Sequence, residues 1–439
     1  MISTVILGGG PGGTGPLVWA AQNNRLNSWL SAGVAIVERE DGIGGTIGRY
    51  ALNSDSLGSS YLECLDAPAA RELFARLRTD EVTRELDAMR YGYPPLELVG
   101  RFFRLFGSDI REILSRYPDC RFLSRTQAHA LHLREDGSVA VELWAPDGAS
   151  TILEARTAIL ALGGRQNLRA WLNLELIPGL RLVDFEPEKV IPTDRLLTSE
   201  GLSQAAGLIE RAGTRVVILG SSHSAFSAAW ALLNLLPHAR FRAGDITILM
   251  RREPRIFYPT WGEALSDEYA ASECDICPAT RRVNRLGGLR GDGRELWRRM
   301  SRRPGTRPEE RASMTLLSSL SRAELARCVD DVAMIVPAFG YRSTTIPVYD
   351  AQHRRLTLAG DVGHPVSVGQ DARLLLADGG RLSNIFALGL GTGYRPTGSM
   401  GGERSFDGQQ NSLWLMQNDI GRVVYEGVRE CLGDQRWAA

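Results

Sequence analysis

Lysine is almost missing from this 439-residue chain: Lys189 stands alone, and arginine supplies the rest of the positive charge. The 51 basic and 51 acidic residues cancel, so no global field recruits nucleic acid or an acidic membrane surface. Cysteine is also sparse. Six of them, at 64, 120, 274, 277, 328 and 431, are too scattered for a secreted disulfide framework, and a reducing cytoplasm is the expected compartment. No stretch approaches the roughly 18 uninterrupted apolar residues of a membrane span. The first residues run straight into a strand and a glycine turn without the charged and apolar regions of a signal peptide, and none is expected. What remains is a globular composition, 44% hydrophobic and 23% charged, in a chain long enough for two or three domains.

Glycine is where the information lies. Thr4-Val5-Ile6-Leu7 is a short apolar run, followed by Gly8-Gly9-Gly10-Pro11-Gly12-Gly13 and a stretch carrying Leu17, Val18, Ala20 and Ala21. Strand, G-x-G-x-x-G turn and helix in that order form the start of a Rossmann-like dinucleotide-binding unit. Gly8 permits the tight turn, Gly10 admits a pyrophosphate to the backbone, and Gly13 lets helix and strand approach. Pro11 and Gly12 open the helix, whose free N–H groups and dipole attract phosphate. The next strand, Val34–Val37, ends at Glu38-Arg39. Glu38 lies 30 residues beyond Gly8, against the usual distance of about 20, with a loop at 22–33 to absorb the difference. A carboxylate there accepts ribose hydroxyls and repels a 2′-phosphate, which suits FAD or NAD over NADP.

A second unit begins mid-chain. Arg215–Leu219 reads as a strand, Gly220-Ser221-Ser222-His223-Ser224-Ala225 as the turn, and Phe226–Leu236 as a helix. Ser222 and Ala225 replace two glycines, and small residues, Ser224 among them, still allow close approach. The following strand, Ile246–Met250, ends at Arg251-Arg252. Arg251 is 31 residues past Gly220, nearly the spacing from Gly8 to Glu38. Two guanidinium groups stand where the first unit has its acid, and they suit the 2′-phosphate of NADPH.

Three further apolar runs end in glycine, at 158–164, 332–340 and 384–391. With the two nucleotide units they resemble the two-dinucleotide-binding-domain flavoproteins, specifically the class B and N-hydroxylating FAD- and NADPH-dependent monooxygenases. The resemblance implies an α/β fold of two Rossmann-like domains, the NADPH domain (196–333) inserted in an FAD domain (1–195 and 334–439). It also likens the stretch of Gly45, Thr46 and Asn53 to the one lining the flavin in that family, and places Gly391 at the flavin edge. It further implies a flavin C4a-hydroperoxide that oxygenates a small nucleophile with dioxygen, an amine ahead of a ketone, in secondary metabolism. The chain departs from the family in 256–263, which lacks the asparagine of N-hydroxylases, and no catalytic base is named by the sequence.

Two other readings stay open. Cys274-Asp275-Ile276-Cys277 offers a dithiol, as an NADPH-dependent flavin or disulfide oxidoreductase requires, though its position fits neither known reductase arrangement. A non-enzymatic flavin-binding redox sensor is the third. Phe102, Phe103 and Phe106, on a helix of three- and four-residue spacing, read as core. From Arg281 to Arg311 there are eleven arginines, expected as a solvated helix and loop. The sharper alternative is a dock for an anionic partner such as a carrier protein, or help with the NADPH phosphates. Oligomeric state is not readable.

Overall fold

The computed structural model describes all residues except 174, 178–179, 365, 409–411 and 434–439. Two sheets organise them. The larger has ten strands. It begins with β1 (Ile2–Leu7), β2 (Val34–Val37), β3 (Arg121–Leu123), β4 (Gln127–Leu133), β5 (Val139–Trp144) and β6 (Ser150–Leu160). The smaller contains β7 (Val216–Leu219), β8 (Ile246–Met250), β9 (Ala312–Leu316) and β10 (Met334–Pro337). The chain then returns to the larger sheet as β11 (Val348–Tyr349), β12 (Arg355–Leu356), β13 (Arg373–Leu375) and β14 (Arg381–Ala387).

Every residue of β1, β2 and β7 is buried, as helix-covered parallel strands require. The order β12-β11-β4-β5-β6-β1-β2-β3 branches at β6, the longest strand. Its first half pairs antiparallel with β5, and its end runs parallel between β1 and β14. The smaller sheet is wholly parallel, in the order β9-β8-β7-β10.

Helix α1 (Pro11–Gln22) follows β1. Helix α2 (Leu96–Ser115) buries Val99, Phe102, Phe103, Phe106 and Ile110, with Phe103 edge-on to Tyr61 and Phe106 against Phe74. The three phenylalanines are core, as their spacing predicts. The smaller sheet carries α3 (Ser199–Ala212), α4 (His223–Leu235), α5 (Gly291–Met300) and α6 (Arg322–Val329). Near the C-terminus stand two helices, Leu413–Gln417 and α7 (Asp419–Leu432), with a break at Asn418. No helix among the described residues is long and apolar enough to cross a membrane.

Packing around the smaller sheet draws in chain on both sides of 196–333. β10, at Met334–Pro337, pairs with β7. Trp171, Leu182 and Val190 share a core with Val217, Leu219 and Leu249. The smaller sheet has two apolar faces, and chain on both sides of its four strands is drawn in to cover them.

Five arginines of the 281–311 run sit on carboxylates. Arg294 and Arg298 face Asp267, Arg302 faces Glu310, and Arg299 and Arg311 each reach Glu309 at 2.8 Å. The hydrogen bond from Arg311, with Arg299 beside it, holds the buried Glu309 carboxyl below its ordinary range. Its contribution to stability is therefore full above the unfolded carboxyl pKa of about 4.3 and disappears as pH falls through the lower folded value. Glu309→Gln is expected to cost about 1–3 kcal/mol at pH 7, and the difference in thermal unfolding between the two proteins should shrink as pH falls through that folded value.

Candidate active site

The first glycine turn is shaped by backbone contact. Gly8 has φ +103°, and a Cβ there would lie 2.3 Å from the Ala161 carbonyl oxygen. A Cβ on Gly13 would lie 1.9 Å from the Gly8 carbonyl. Gly10 is different: its Cβ would meet only Gly45 Cα, at 3.6 Å, and Gly12 faces Gly389 Cα at 3.5 Å. Gly45 is held there because α2 crosses its loop closely. Gly107 leaves no room for a Cβ against the Ile43 carbonyl, and Gly44 none against that of Phe103.

Helix α1 starts with Pro11 and has neither a side-chain cap nor an acid in its first turn. Its N–H groups and positive dipole end are thus left for a phosphate. Glu38 is buried, with one carboxylate oxygen accepting from Gly9 N–H at 2.7 Å and the other from Glu40 N–H at 3.0 Å. These bonds fix the carboxylate beside the turn while each oxygen keeps a lone pair for a ribose hydroxyl. The exposed guanidinium of Arg39 pairs with Glu40, and Thr46 is exposed at the start of a short turn. The glycine turn, Glu38 and Gly45 together fit the adenosine diphosphate half of FAD.

The second turn repeats the design with serines. Gly220 has φ +142°, and a Cβ would lie 2.6 Å from the Ala338 carbonyl. Ser222 caps α4 only by position, since no side chain bonds the helix start and no acid occupies the first turn. His223, expected in the turn, is the first residue of α4. Its Nε2 is buried without a hydrogen bond and lies 3.6 Å from Asp55. Burial pulls the imidazole pKa down, with Asp55 opposing and Arg290 reinforcing. Arg251 is exposed, and Arg252 gives one arm to Asp407 at 2.6 Å.

Between the units opens a cleft of about 1410 Å³. From the second unit it is lined by Ser221–Ser224, Arg252, Arg255, Arg282, Arg285 and Arg290, and from the rest of the chain by Asp55, Glu63, Tyr341, Leu390 and Trp414. Leu390 precedes Gly391 (φ +90°), which packs against Arg342 and Ser343. Asn53 is not on the wall. It donates to Asp292 of α5 at 2.9 Å, tying the two units together beside the cleft. The structure thus gathers Ser222, Ser224 and Arg252, with Gly391 behind its neighbour Leu390. The first turn, Glu38 and Arg39 form a separate surface.

Sequence reasoning passed over Tyr93, Arg255 and Trp414, which line the cleft from distant segments. Neither Cys274 nor Cys277 does so. Cys274 is exposed and Cys277 buried. Burial pushes the Cys277 thiol up, but hydrogen bonds from Thr280, Gly402 and Arg285 outweigh it and bring its pKa to about 7.

No family model matches the chain. It is 34% identical over 433 residues to CMP-5′-(3-aminopropyl)phosphonate hydroxylase of Streptomyces rubellomurinus, covering 97% of each chain. Among solved structures it resembles the ornithine N-hydroxylase of Kutzneria sp. 744, with 16% identity, 98% and 99% of the two chains covered and a TM-score of 0.55. The FAD-bound cadaverine monooxygenase of Erwinia amylovora gives 13% identity, 100% and 97% coverage and a TM-score of 0.57. The L-lysine 6-monooxygenase of Pseudomonas syringae gives 16%, 99% and 100%, and 0.54. The chain belongs to the family of CMP-5′-(3-aminopropyl)phosphonate hydroxylase, and its fold is that of the N-hydroxylating flavin monooxygenases.

Proposed function

We propose that this enzyme hydroxylates the nitrogen of a primary amine, at the expense of NADPH and dioxygen. The part of the chain built on the larger sheet holds FAD, and the unit built on the smaller sheet holds NADPH. Gly8, Gly10, Pro11, Gly12 and Gly13 seat the FAD pyrophosphate, and Glu38 its ribose, with Arg39, Gly45, Thr46, Asn53 and Gly391 along the flavin path. Gly220, Ser222 and Ser224 seat the NADPH pyrophosphate, and Arg251 and Arg252 its 2′-phosphate. Bound FAD, reduced by NADPH, supplies the activation of dioxygen. The protein binds and orients the partners and limits water.

The observation that carries this reading is a cleft lined both by the second nucleotide turn and by Tyr341, Leu390 and Asp55. Hydride donor, flavin edge and substrate can meet there. The relative's substrate, CMP-5′-(3-aminopropyl)phosphonate, carries such an amine, and we extend that class to this enzyme. Six free cysteines fit a reducing cytoplasm as its place of work.

The test is anaerobic reduction of the FAD-loaded enzyme by NADPH or NADH, followed by oxygen and a candidate amine. Reduction at least about 10-fold faster with NADPH is expected from the two arginines, together with a product heavier by one oxygen atom. Electrons ending only as hydrogen peroxide, with every amine offered, would overturn the reading.

A further inference from the structure

The arginines of the 281–311 run divide by what faces them. Five are neutralised by Asp267, Glu309 and Glu310. Arg282, Arg285 and Arg290 instead line the cleft, joined by Arg255. Among the described residues none of these four has a carboxylate at ion-pair distance. Their hydrogen bonds run from Arg255 to Ser405 Oγ at 3.0 Å, from Arg285 to the Met400 carbonyl at 2.7 Å and to Cys277 Sγ at 3.7 Å, and from Arg290 to the Arg285 carbonyl. Arg290 also lies 3.9 Å over the Phe257 ring, and Arg285 5.8 Å from that of Trp414. Burial and the nearby Arg282 and Arg285 all disfavour charge on Arg290, against Asp55 and Tyr93. A guanidinium stays ionised regardless.

A cluster of like charges around one cleft, with Arg282 exposed and the other three half-buried, attracts an anion. The NADPH phosphates do not account for it, because Arg251-Arg252 and the Ser222–Ser224 turn already provide for them. The cleft also holds acids: Asp55, Glu63 and Asp66 come from one segment of the first unit, and Glu253 and Asp407 lie near Arg252, which pairs with Asp407. The rings of Tyr93, Phe257 and Trp414 line the same cleft.

We propose that Arg255, Arg282, Arg285 and Arg290 form the seat of a phosphonate or phosphate group carried by the amine substrate, separate from the NADPH phosphates. The assignment rests on the amine-hydroxylase reading and specifies its substrate class: an amine at one end and a tetrahedral oxyanion towards the other. Arginine forks match such oxyanions in bidentate geometry. Phe257 and Trp414 add flat surfaces on which a base can stack.

Calorimetry on the FAD-loaded enzyme, with NADP⁺ saturating the nucleotide site, tests this. The probes are 3-aminopropylphosphonate, its CMP ester and 1-aminopropane. Both anionic amines, or the ester alone, should bind far more tightly than 1-aminopropane and weaken as salt rises. Binding of both places the phosphonate in the seat, and binding of the ester alone places the nucleotide phosphate there. Arg282→Gln, a change at an exposed side chain, should weaken binding about 10-fold, and the Arg255→Gln/Arg282→Gln pair about 100-fold. The KM for NADPH should stay within about twofold. A raised KM for NADPH with unchanged amine binding would assign the arginines to the coenzyme and overturn the proposal. So would equal binding and turnover of 1-aminopropane. If arginine-dependent binding is present but no amine gains oxygen, the seat stands and the hydroxylase reading falls.

Discussion

Gly10→Val is expected to give a folded protein that purifies without flavin. Gly10 has φ −73° and ψ −176°, an extended conformation open to any residue. The only atom a Cβ would meet is Gly45 Cα, at ordinary contact distance. Folding should therefore change by no more than about 0.5 kcal/mol. The valine methyls would nevertheless stand over the uncapped start of α1, where the pyrophosphate must reach backbone N–H groups. Losing two charge-assisted bonds of about 1.5–3 kcal/mol each lowers FAD affinity by 100-fold or more. The stabilisation by ligand, about 2.7 kcal/mol when FAD stands at 100 times its Kd, goes with it. Flavin absorbance per mole of protein, and thermal unfolding with and without added FAD, measure both effects. Gly13→Ala is the contrasting control. Its Cβ would fall 1.9 Å from the Gly8 carbonyl and 3.0 Å from Ile6, so it should destabilise the fold whether or not FAD is present. A Gly10→Val protein that keeps its full flavin would remove the first turn as the pyrophosphate seat.

The difference between these two glycines could not be read from the motif, which only says that both are small. What the sequence does show is governed by local rules. β1 and β7 fall on the apolar runs that precede the two turns, α1 and α4 begin at those turns, and β2 and β8 fall on the next apolar runs. These elements depend on hydrophobic runs and turn chemistry within a few residues. The domain limits do not. Nothing near Trp171 or Val190 announces that they will cover the smaller sheet, because the partner strands begin at Val216. The arginine run was illegible for the same reason. Arg282 and Arg299 look alike in sequence, yet one faces open cleft and the other a buried Glu309. Charge accounting needs the third dimension. The cleft wall likewise unites Asp55, Arg290 and Trp414, which no spacing rule connects.

The coenzyme preference, by contrast, rests on two adjacent residues and can be reversed with them. Arg251→Ala/Arg252→Ala is expected to raise the KM for NADPH about 100-fold and leave that for NADH within about threefold. Both side chains are exposed, Arg252 to 79%, so each contact with the 2′-phosphate belongs at the lower end of a charged hydrogen bond, about 1.5 kcal/mol or roughly tenfold. The two single changes should not be equal. Arg252 holds Asp407 at 2.6 Å, which keeps that carboxyl below its ordinary range. Removing Arg252 leaves Asp407 as an unpaired anion on the cleft wall, where it repels the same phosphate. Arg252→Ala should therefore cost more than Arg251→Ala, and Arg252→Ala/Asp407→Asn should recover part of the difference. The penalty should shrink at high salt, which screens exposed charges, while thermal stability changes little. Equal KM changes for NADPH and NADH would show that the two arginines do not read the 2′-phosphate, and that this preference is set elsewhere in the cleft.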